Sequence, residues 1–244
     1  MQELQDQLAL LRRRIETING RYARPASGAA PAAAVEEVFD GTIVETPRGR
    51  HVEREQLYGR LDRHGSYEIS WMEDLPADLL GPISSGAIPP SPPHRWAFLD
   101  TETTGLSGGT GTCAFLAGVG RLTAGGFRVR QFFMRDFADE PSLLWALAGH
   151  LGEFDVVATY NGAAFDQPLL ETRYRLARQP TPFARLAHLD LLFGARRLWK
   201  LRLESCRLVE LENRILGVER QGDVPGAMIP DLYFDYVRTR RASR

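Results

Sequence analysis

Hydrophobic side chains recur at alternating spacings of four and three along the first 22 residues. They are Leu4, Leu8, Leu11, Ile15 and Ile18. This spacing places them on one stripe and predicts an N-terminal amphipathic helix over residues 1–22. The stripe covers little more than two heptads, which favours packing against the rest of the protein over a coiled coil. The next segment, Arg24–Ala34, has the composition of a linker.

The segment between the linker and residue 93 is predicted to form a small β-rich extension. Hydrophobic and polar residues alternate weakly in Thr42–Glu45 and Arg50–Leu57, on either side of a Pro-Arg-Gly turn signal. Ser66–Trp71 is a further β-like stretch, whereas six prolines in Leu75–Pro93 exclude a long helix there. Residues 23–93 are therefore expected to hold the linker and this extension.

A sharper pattern begins at residue 94. Three apolar runs joined by short loops indicate an antiparallel meander, with two adjacent glycines as one hairpin turn. The predicted strands are Trp96–Leu99, Cys113–Gly120, Phe127–Met134, Asp155–Tyr160 and Leu186–Leu192, and the predicted helices are Pro141–Leu151, Phe165–Leu176, Glu204–Leu216 and Asp231–Arg240. This order predicts an α/β fold over residues 94–244, with a mixed β-sheet flanked by helices.

Composition narrows the class of protein. The 244 residues include only two cysteines, Cys113 and Cys206, far apart in the chain, which argues against a disulfide scaffold or a thiolate zinc site. The N-terminus has charged residues where a signal peptide needs an apolar core. The most apolar run, Cys113–Gly120, is far shorter than the about 20 residues that a membrane helix needs. We therefore expect a cytoplasmic protein with no membrane partner.

The distribution of charge is more informative than its sum. The net charge is −1, with 30 basic and 31 acidic residues. Between Arg173 and Arg202, however, there are eight basic residues and a single acid, Asp190. Such a cluster suits a phosphate backbone, and Trp199 lies within it, where its ring is able to stack on a base. A solvated helix face is the alternative interpretation.

Two carboxylates follow an apolar strand in the sequence FLDTETTGL. Because side chains alternate along a strand, Asp100 and Glu102 lie on one face and Thr101 points to the other. Two carboxylates on one face repel each other unless a cation lies between them or one of them is protonated. Hard oxygen ligands suit Mg²⁺ or Mn²⁺, so the pair is a candidate metal site. A solvated strand end is the alternative.

A second polar segment, YNGAAFD, follows the buried strand residues Asp155–Ala158. Asn161 suits the turn between strand and helix, and Asp166 falls near the positive end of the helix dipole. Capping of the N-terminus of the predicted helix is therefore one interpretation of both residues. A sheet that places the two strand ends side by side would bring Asp166 against Asp100 and Glu102.

Together, FLDTETTGL and YNGAAFD resemble the first and second motifs of the DEDD 3′–5′ exonucleases, which belong to the RNase H-like superfamily. With GLSGGTGT, the chain is more similar still to bacterial proteins with a YprB-like RNase H-like domain, over about residues 95–244. The resemblance implies an RNase H-like fold and hydrolysis of phosphodiester bonds in single-stranded DNA or RNA. It assigns Asp100, Glu102 and Asp166 as catalytic residues that hold two Mg²⁺ or Mn²⁺ ions.

The same resemblance suggests which residues contact the substrate. Thr103 and Leu106 are expected at the terminal nucleotide, with Leu106 packed on a base. Asn161 and Phe165 are expected to shape the same pocket. For Leu106 and Phe165, packing in the core is an equal alternative.

One departure from the family concerns its last motif, in which an aspartate follows a histidine or a tyrosine. The chain stops at Arg244, soon after LYFDY, and no residue supplies this motif. We therefore expect a C-terminally truncated RNase H-like domain without the fourth carboxylate, with impaired metal affinity and turnover. Asp190 is the best substitute for that carboxylate.

Two other functions stay open. An RNase H-like module that binds nucleic acid without cutting it agrees with the missing carboxylate. A haloacid-dehalogenase-type phosphatase is suggested because Asp100, Glu102 and Thr104 resemble the D-x-D-x-T start of that family. The phosphatase interpretation leaves Asn161 and Asp166 unexplained. The sequence indicates no oligomeric state.

Overall fold

The computed structural model describes residues 35–76, 78–84, 86–105, 111–220 and 222–240. The predicted helix of residues 1–22 and the linker Arg24–Ala34 lie outside these residues. Within them, seven strands form one sheet, and two short strands form a separate ribbon.

The strands are numbered along the described chain. Their bounds are β1 Thr42–Thr46, β2 Gly49–Gly59, β3 Arg63–His64, β4 Tyr67–Glu68, β5 Trp96–Thr103, β6 Ala114–Thr123, β7 Gly126–Phe133, β8 Val156–Thr159 and β9 Ala187–Asp190. The order in the main sheet is β1-β2-β7-β6-β5-β8-β9, and β3 pairs with β4. The pairs between β1 and β5 in this order are antiparallel, whereas β8 and β9 run parallel to β5. The predicted meander of β5, β6 and β7 is confirmed.

Helices flank this sheet. Their bounds are α1 Val35–Phe39, α2 Leu80–Ser84, α3 Glu140–Leu151, α4 Asp166–Leu176, α5 Leu191–Trp199, α6 Leu208–Leu211 and α7 Ile229–Thr239. A π-helical turn, Glu212–Leu216, continues α6. Short 3₁₀ turns are formed by Ile69–Met72, Pro93–Arg95, Phe137–Asp139, Pro182–Arg185 and Gly226–Met228. The predicted α/β class with a mixed, helix-flanked sheet is confirmed, and none of these helices is long and apolar enough to span a membrane.

Two predicted strands differ from the structure. The sequence predicts a strand over Leu186–Leu192, but β9 ends at Asp190 and α5 begins at the next residue. The reason is that the Asp190 carboxylate accepts the Leu192 N–H and caps the helix. Ser66–Trp71 contains only the short β4 and continues as a 3₁₀ turn.

The β-rich extension is continuous with the main sheet. β2 pairs with β7 over eight residue pairs, so β2 and the edge strand β1 form one outer part of the sheet. A buried side-chain network attaches β2 to helix α3, because His51 Nδ1 lies 2.9 Å from Ser142 Oγ. His51 Nε2 lies 2.9 Å from Glu53 Oε1, and Arg130 on β7 donates to Glu53 Oε2 at 2.6 Å. These bonds satisfy polar groups that burial would otherwise leave unpaired.

The two faces of the sheet bury separate apolar clusters. One cluster includes Leu99, Phe132, Leu143, Leu147, Leu170, Tyr174 and Tyr233. The other includes Leu80, Trp96, Val156, Ala158 and Leu189, with Phe98 packed against it. β5 is therefore covered on both faces up to Leu99, and each buried large side chain contributes about 1.5–3 kcal/mol. The first carboxylate, Asp100, follows directly where this cover ends.

Candidate functional site

Strand β5 carries Asp100 and Glu102 past the end of its parallel neighbour. β5 pairs with β8 only from Trp96 to Phe98, whereas its pairing with β6 continues to Thr103. The β8 side of β5 is therefore open beside the two carboxylates. It faces the loop that leaves β8, which we call the β8–α4 loop, residues 160–165.

The β8–α4 loop turns sharply before helix α4. Asn161 has a left-handed backbone, with φ 67°, a conformation that asparagine adopts more readily than most residues. At Gly162 a side chain has no room, because a β-carbon would lie 2.6 Å from the Thr159 side chain. The turn places Asp166 at the first position of α4.

Asp190 holds this loop by its backbone. The buried carboxylate at the end of β9 accepts the N–H groups of Asn161 at 2.8 Å and of Ala163 at 3.1 Å. It also accepts the Leu192 N–H at 3.0 Å. Both oxygens are thus engaged by backbone donors, which favours a structural role for Asp190 over that of the substitute metal ligand. It ties β9, α5 and the β8–α4 loop together.

Asp166 docks onto β5 through Thr101. The Thr101 hydroxyl donates to Asp166 Oδ1 at 2.5 Å. Thr101 lies between the two β5 carboxylates in sequence, so this bond brings the third carboxylate to the same stretch of strand. The structure thereby places Asp100, Glu102 and Asp166, from two distant motifs, at the same end of β5. Because side chains alternate along the strand, the Thr101 side chain that Asp166 contacts lies on the face opposite Asp100 and Glu102.

The three carboxylates disfavour one another's negative charge. Burial raises the pKa of Asp100, and the charge of Asp166 raises it further. Burial also raises the pKa of Glu102, and the charges of Asp100 and Asp166 add to the rise. Burial raises the pKa of Asp166 as well, although hydrogen bonding by Thr101 works against it. Unpaired like charges of this kind are relieved when a divalent cation binds.

The donor set fits Mg²⁺ or Mn²⁺ in its chemistry. All three side chains offer carboxylate oxygens, which both ions prefer, and they supply the negative charge that a cation needs. Among the described residues, no group of three His, Cys, Asp or Glu side chains converges closely enough to hold one ion. The three carboxylates are thus electrostatic neighbours whose oxygens do not surround a common point.

The residues predicted to contact substrate lie on the segments that carry these carboxylates. Phe165 ends the β8–α4 loop and is 59% exposed, so core packing, its alternative interpretation, does not apply. Asn161 is half-buried in the same loop. The Thr103 hydroxyl donates to the Gly105 carbonyl at 2.9 Å and stabilises the chain after β5. Leu106 lies outside the described residues.

Two further charged residues act on the site without any motif to mark them. Arg220 binds the buried Glu212 through Nε at 2.6 Å and Nη2 at 2.9 Å, and Asp223 through Nη1 at 3.0 Å. The charge of Arg220 opposes the rise in the pKa of Asp100. Asp223 adds to the rise in the pKa of Glu102. The only sequence signal is the succession of opposite charges in ERQGD.

His188, on β9, has a satisfied structural position close to the site. Its Nε2 lies 2.8 Å from Thr159 Oγ1. Burial lowers the pKa of His188, although the charges of Asp190 and Asp166 oppose the shift. Its imidazole is therefore neutral at pH 7 and joins β8 to β9.

The predicted basic stretch divides into two parts. Arg173 is largely buried and forms two 2.6 Å hydrogen bonds to Glu140, so it joins α4 to α3 rather than facing a phosphate. Arg196, Lys200 and Arg202 are exposed at and after the end of α5. No carboxylate in the described ranges lies within ion-pair distance of these three. Together with Arg175, Arg178 and Arg185, which are exposed as well, they are the part of the stretch that suits a phosphate backbone.

This chain is similar to known proteins over most of its length. The chain is 35% identical over 195 residues to "Uncharacterized protein YprB" of Bacillus subtilis (strain 168). The match covers 77% of the chain and 46% of the relative, so the chain spans about half the length of that relative. A family model described as RNase H superfamily matches residues 97–244, which hold all three carboxylates, and neither match supports the phosphatase alternative. The chain belongs to the RNase H superfamily.

Proposed function

We propose that this protein is a metal-dependent nuclease, similar to the 3′–5′ exonucleases, that hydrolyses phosphodiester bonds of single-stranded DNA or RNA. One observation carries the proposal: Asp166 reaches the edge of β5 that holds Asp100 and Glu102, and it raises the pKa of both. Membership of the RNase H superfamily supports a nuclease or a nucleic-acid-binding module.

The carboxylates are the proposed ligands of two Mg²⁺ or Mn²⁺ ions, with Asp100 and Glu102 on β5 and Asp166 on α4. When bound, such ions activate water and stabilise the charge that develops on the phosphate oxygens. Thr101 orients the Asp166 carboxylate, and Asp190 holds the loop from which Asp166 extends. Thr101 and Asp190 act as positioning residues, because they touch a ligand or its loop rather than the substrate.

Thr103, Leu106, Asn161 and Phe165 are the proposed substrate-binding residues. The exposed ring of Phe165 is suited to stacking on a terminal base, since every base offers an apolar face. The exposed cations at the end of α5 are suited to the phosphates of the same strand. Stacking and charge together favour a single strand, whose bases are accessible, over a duplex.

Cleavage of 5′-labelled single-stranded DNA and RNA with Mn²⁺, followed on a denaturing gel, tests the proposal. We expect stepwise shortening from the 3′ end and no cleavage in EDTA. Loss of an outer-shell partner alone typically costs about 10–100-fold, so Asp100→Asn is expected to cost at least about 100-fold. Asp231→Asn, at an exposed position on α7, is the matched control. Equal cleavage by Asp100→Asn and the wild type would contradict the proposed nuclease function.

A module that binds nucleic acid without cutting it is the second candidate. It is favoured because no three-residue metal group converges within the described residues, and because backbone donors occupy both oxygens of Asp190. A native gel and the denaturing gel separate the two functions. A binding module retards the labelled strand and leaves its length unchanged with Mn²⁺.

A further inference from the structure

An apolar groove lies beside the β8–α4 loop, apart from the carboxylates. Its volume is about 560 Å³, within the range of roughly 300–1,000 Å³ typical of pockets that hold small organic groups. The walls come mainly from α2, α5 and the α6 region and are almost wholly apolar. They include Ile83, Tyr160, Leu191, Leu198, Trp199 and Leu208.

Apolar side chains of this groove remain in contact with water. Leu198 on α5 is 60% exposed, and Leu208 on α6 is exposed as well. Single exposed leucines are common on protein surfaces, but two that line one concave apolar surface are typical of a binding site.

Cations surround the groove. Arg196 lies near Tyr160, and its charge opposes the burial that raises the pKa of this phenol. Lys200 and Arg207 are adjacent in sequence to residues that line the groove. All three cations are exposed, and none has a carboxylate partner in the part of the chain that the structure describes. The groove therefore combines apolar walls with a positively charged rim.

The β8–α4 loop joins the groove to the candidate active site. Tyr160 lines the groove and donates its hydroxyl to the Cys206 carbonyl. The next residue, Asn161, is held by the Asp190 carboxylate, and Asp166 follows directly after the loop. One short loop thus borders the groove at its start and the carboxylates at its end.

We propose that this groove binds an unpaired nucleobase of the single strand, with Arg196 and Lys200 on the phosphates beside it. The inference rests on the proposed function and adds a place where the strand is held away from the bond that is cut. A nucleotide supplies both a flat apolar base and an anionic phosphate, which match the walls and the rim. Because contacts to Tyr160, Leu198 and Trp199 involve the face of the base, we expect little preference among bases.

An acidic amphipathic peptide also presents apolar and anionic groups. The position of the groove favours nucleic acid over such a peptide. The loop that carries Tyr160 leads directly to Asp166, so the groove and the carboxylates border the same short loop, and one strand is able to contact both.

Binding of fluorescent strands in EDTA tests the groove without cleavage. The probes are a twelve-nucleotide thymidine strand and a strand of equal length and charge in which abasic spacers replace the bases. The control variant is Leu201→Asp, which adds the same charge at a 99% exposed position outside the groove. We expect Leu198→Asp to bind the thymidine strand about tenfold more weakly than Leu201→Asp does. We expect the two variants to bind the abasic strand with equal affinity.

A second variant tests the rim through the salt dependence of binding. Arg196→Gln combined with Lys200→Gln is expected to reduce the slope of log K against log salt by about 1.4, which is about 0.7 for each lost phosphate contact. Arg50→Gln, at an exposed position on β2 outside the groove, is expected to leave the slope unchanged.

Three results would overturn the inference: Leu198→Asp binds the thymidine strand as tightly as Leu201→Asp, the wild type binds neither strand, or an acidic leucine-rich peptide binds in a Leu198-dependent manner. The proposed function is judged separately, by Mn²⁺-dependent cleavage in the wild type and in Asp100→Asn. A protein that cuts while its groove variants bind normally is a nuclease without this base site. If the wild type does not cut but Leu198→Asp loses base-dependent binding, the groove proposal stands and the nuclease proposal is wrong.

Discussion

Two groups of carboxylates on the same sheet differ in how their charge is balanced. Burial raises the pKa of Glu53 on the outer strand β2, but hydrogen bonds from His51 and Arg130 outweigh it, and the pKa is lowered. On β5, desolvation raises the pKa of the exposed Asp100 and of the half-buried Glu102, and the neighbouring carboxylates add to the rise. The first group is satisfied within the protein, whereas the second is left with uncompensated charge.

This difference separates residues that maintain the fold from residues suited to a ligand. Removing one partner of a buried ion pair leaves the other uncompensated, which costs about 3–5 kcal/mol. Carboxylates that repel one another lower stability in the free protein, and a bound cation restores it. Substitutions in the two groups are therefore expected to change stability in opposite directions.

The largest effect on stability is expected in the outer strand. Glu53→Gln removes the charge that His51 and Arg130 contact, so we expect the free energy of unfolding to fall by about 3 kcal/mol, measured by urea titration. Cleavage at a temperature where the variant is folded is expected to match the wild type. Lost cleavage in a fully stable variant would break the comparison, because Glu53 would then act in the site.

Asp190→Asn is expected to have the next largest effect and to change both properties. One oxygen becomes an NH₂ donor, so at least one backbone N–H loses its acceptor, at a cost of about 1–3 kcal/mol. The loosened β8–α4 loop shifts Asp166, and we expect cleavage to fall about tenfold or more. Glu53→Gln is the control, since it is destabilised but retains activity. Full cleavage by Asp190→Asn would show that other contacts hold the loop.

Thr101→Val tests the contact between β5 and α4. Loss of its hydrogen bond to Asp166 is expected to cost about 1 kcal/mol and to lower cleavage about tenfold. Because this bond holds the pKa of Asp166 down, the acidic limb of the pH–rate profile is expected to move to higher pH. Thr172→Val removes a hydroxyl bond within α4 and is the control. An unmoved profile argues against the positioning role.

The smallest effect is expected for Asp100→Asn, as a change in melting temperature in the absence of metal. The pKa values of Asp100 and Glu102 are raised in the folded protein, so their contribution to stability is lost as pH rises through those values. Asp100→Asn is therefore expected to melt slightly above the wild type at pH 7 in EDTA. Mn²⁺ is expected to raise the melting temperature of the wild type only. The pKa of Glu53 is lowered in the folded protein, so the contribution of Glu53 to stability has the opposite pH dependence and is lost as pH falls.

The strands and motifs of the site could be predicted because local sequence determines them. Apolar runs bounded by turn residues gave β5, β6, β7 and β8, and the two-residue period placed Asp100 and Glu102 together. The approach of Asp166 followed from the rule that parallel neighbouring strands end at the same edge of a sheet.

The remaining features depend on contacts between residues far apart in sequence. Helix α5 begins at Leu191 because Asp190 caps it while also holding a loop nearly thirty residues earlier. β2 joins the sheet because β7 offers a free edge and α3 supplies Ser142. The charge of Arg220 acts on Asp100 from a segment whose only sequence signal is the succession of opposite charges in ERQGD.

The β8–α4 loop is anchored by main-chain N–H groups, and every amino acid except proline has one. Asp190 accepts these groups at Asn161 and Ala163, while the side chain of Ala163 is exposed and takes no part. Position 163 is thus free to vary in evolution without displacing Asp166. Descendants of this protein can change the side chain at that position and inherit the arrangement of carboxylates unchanged.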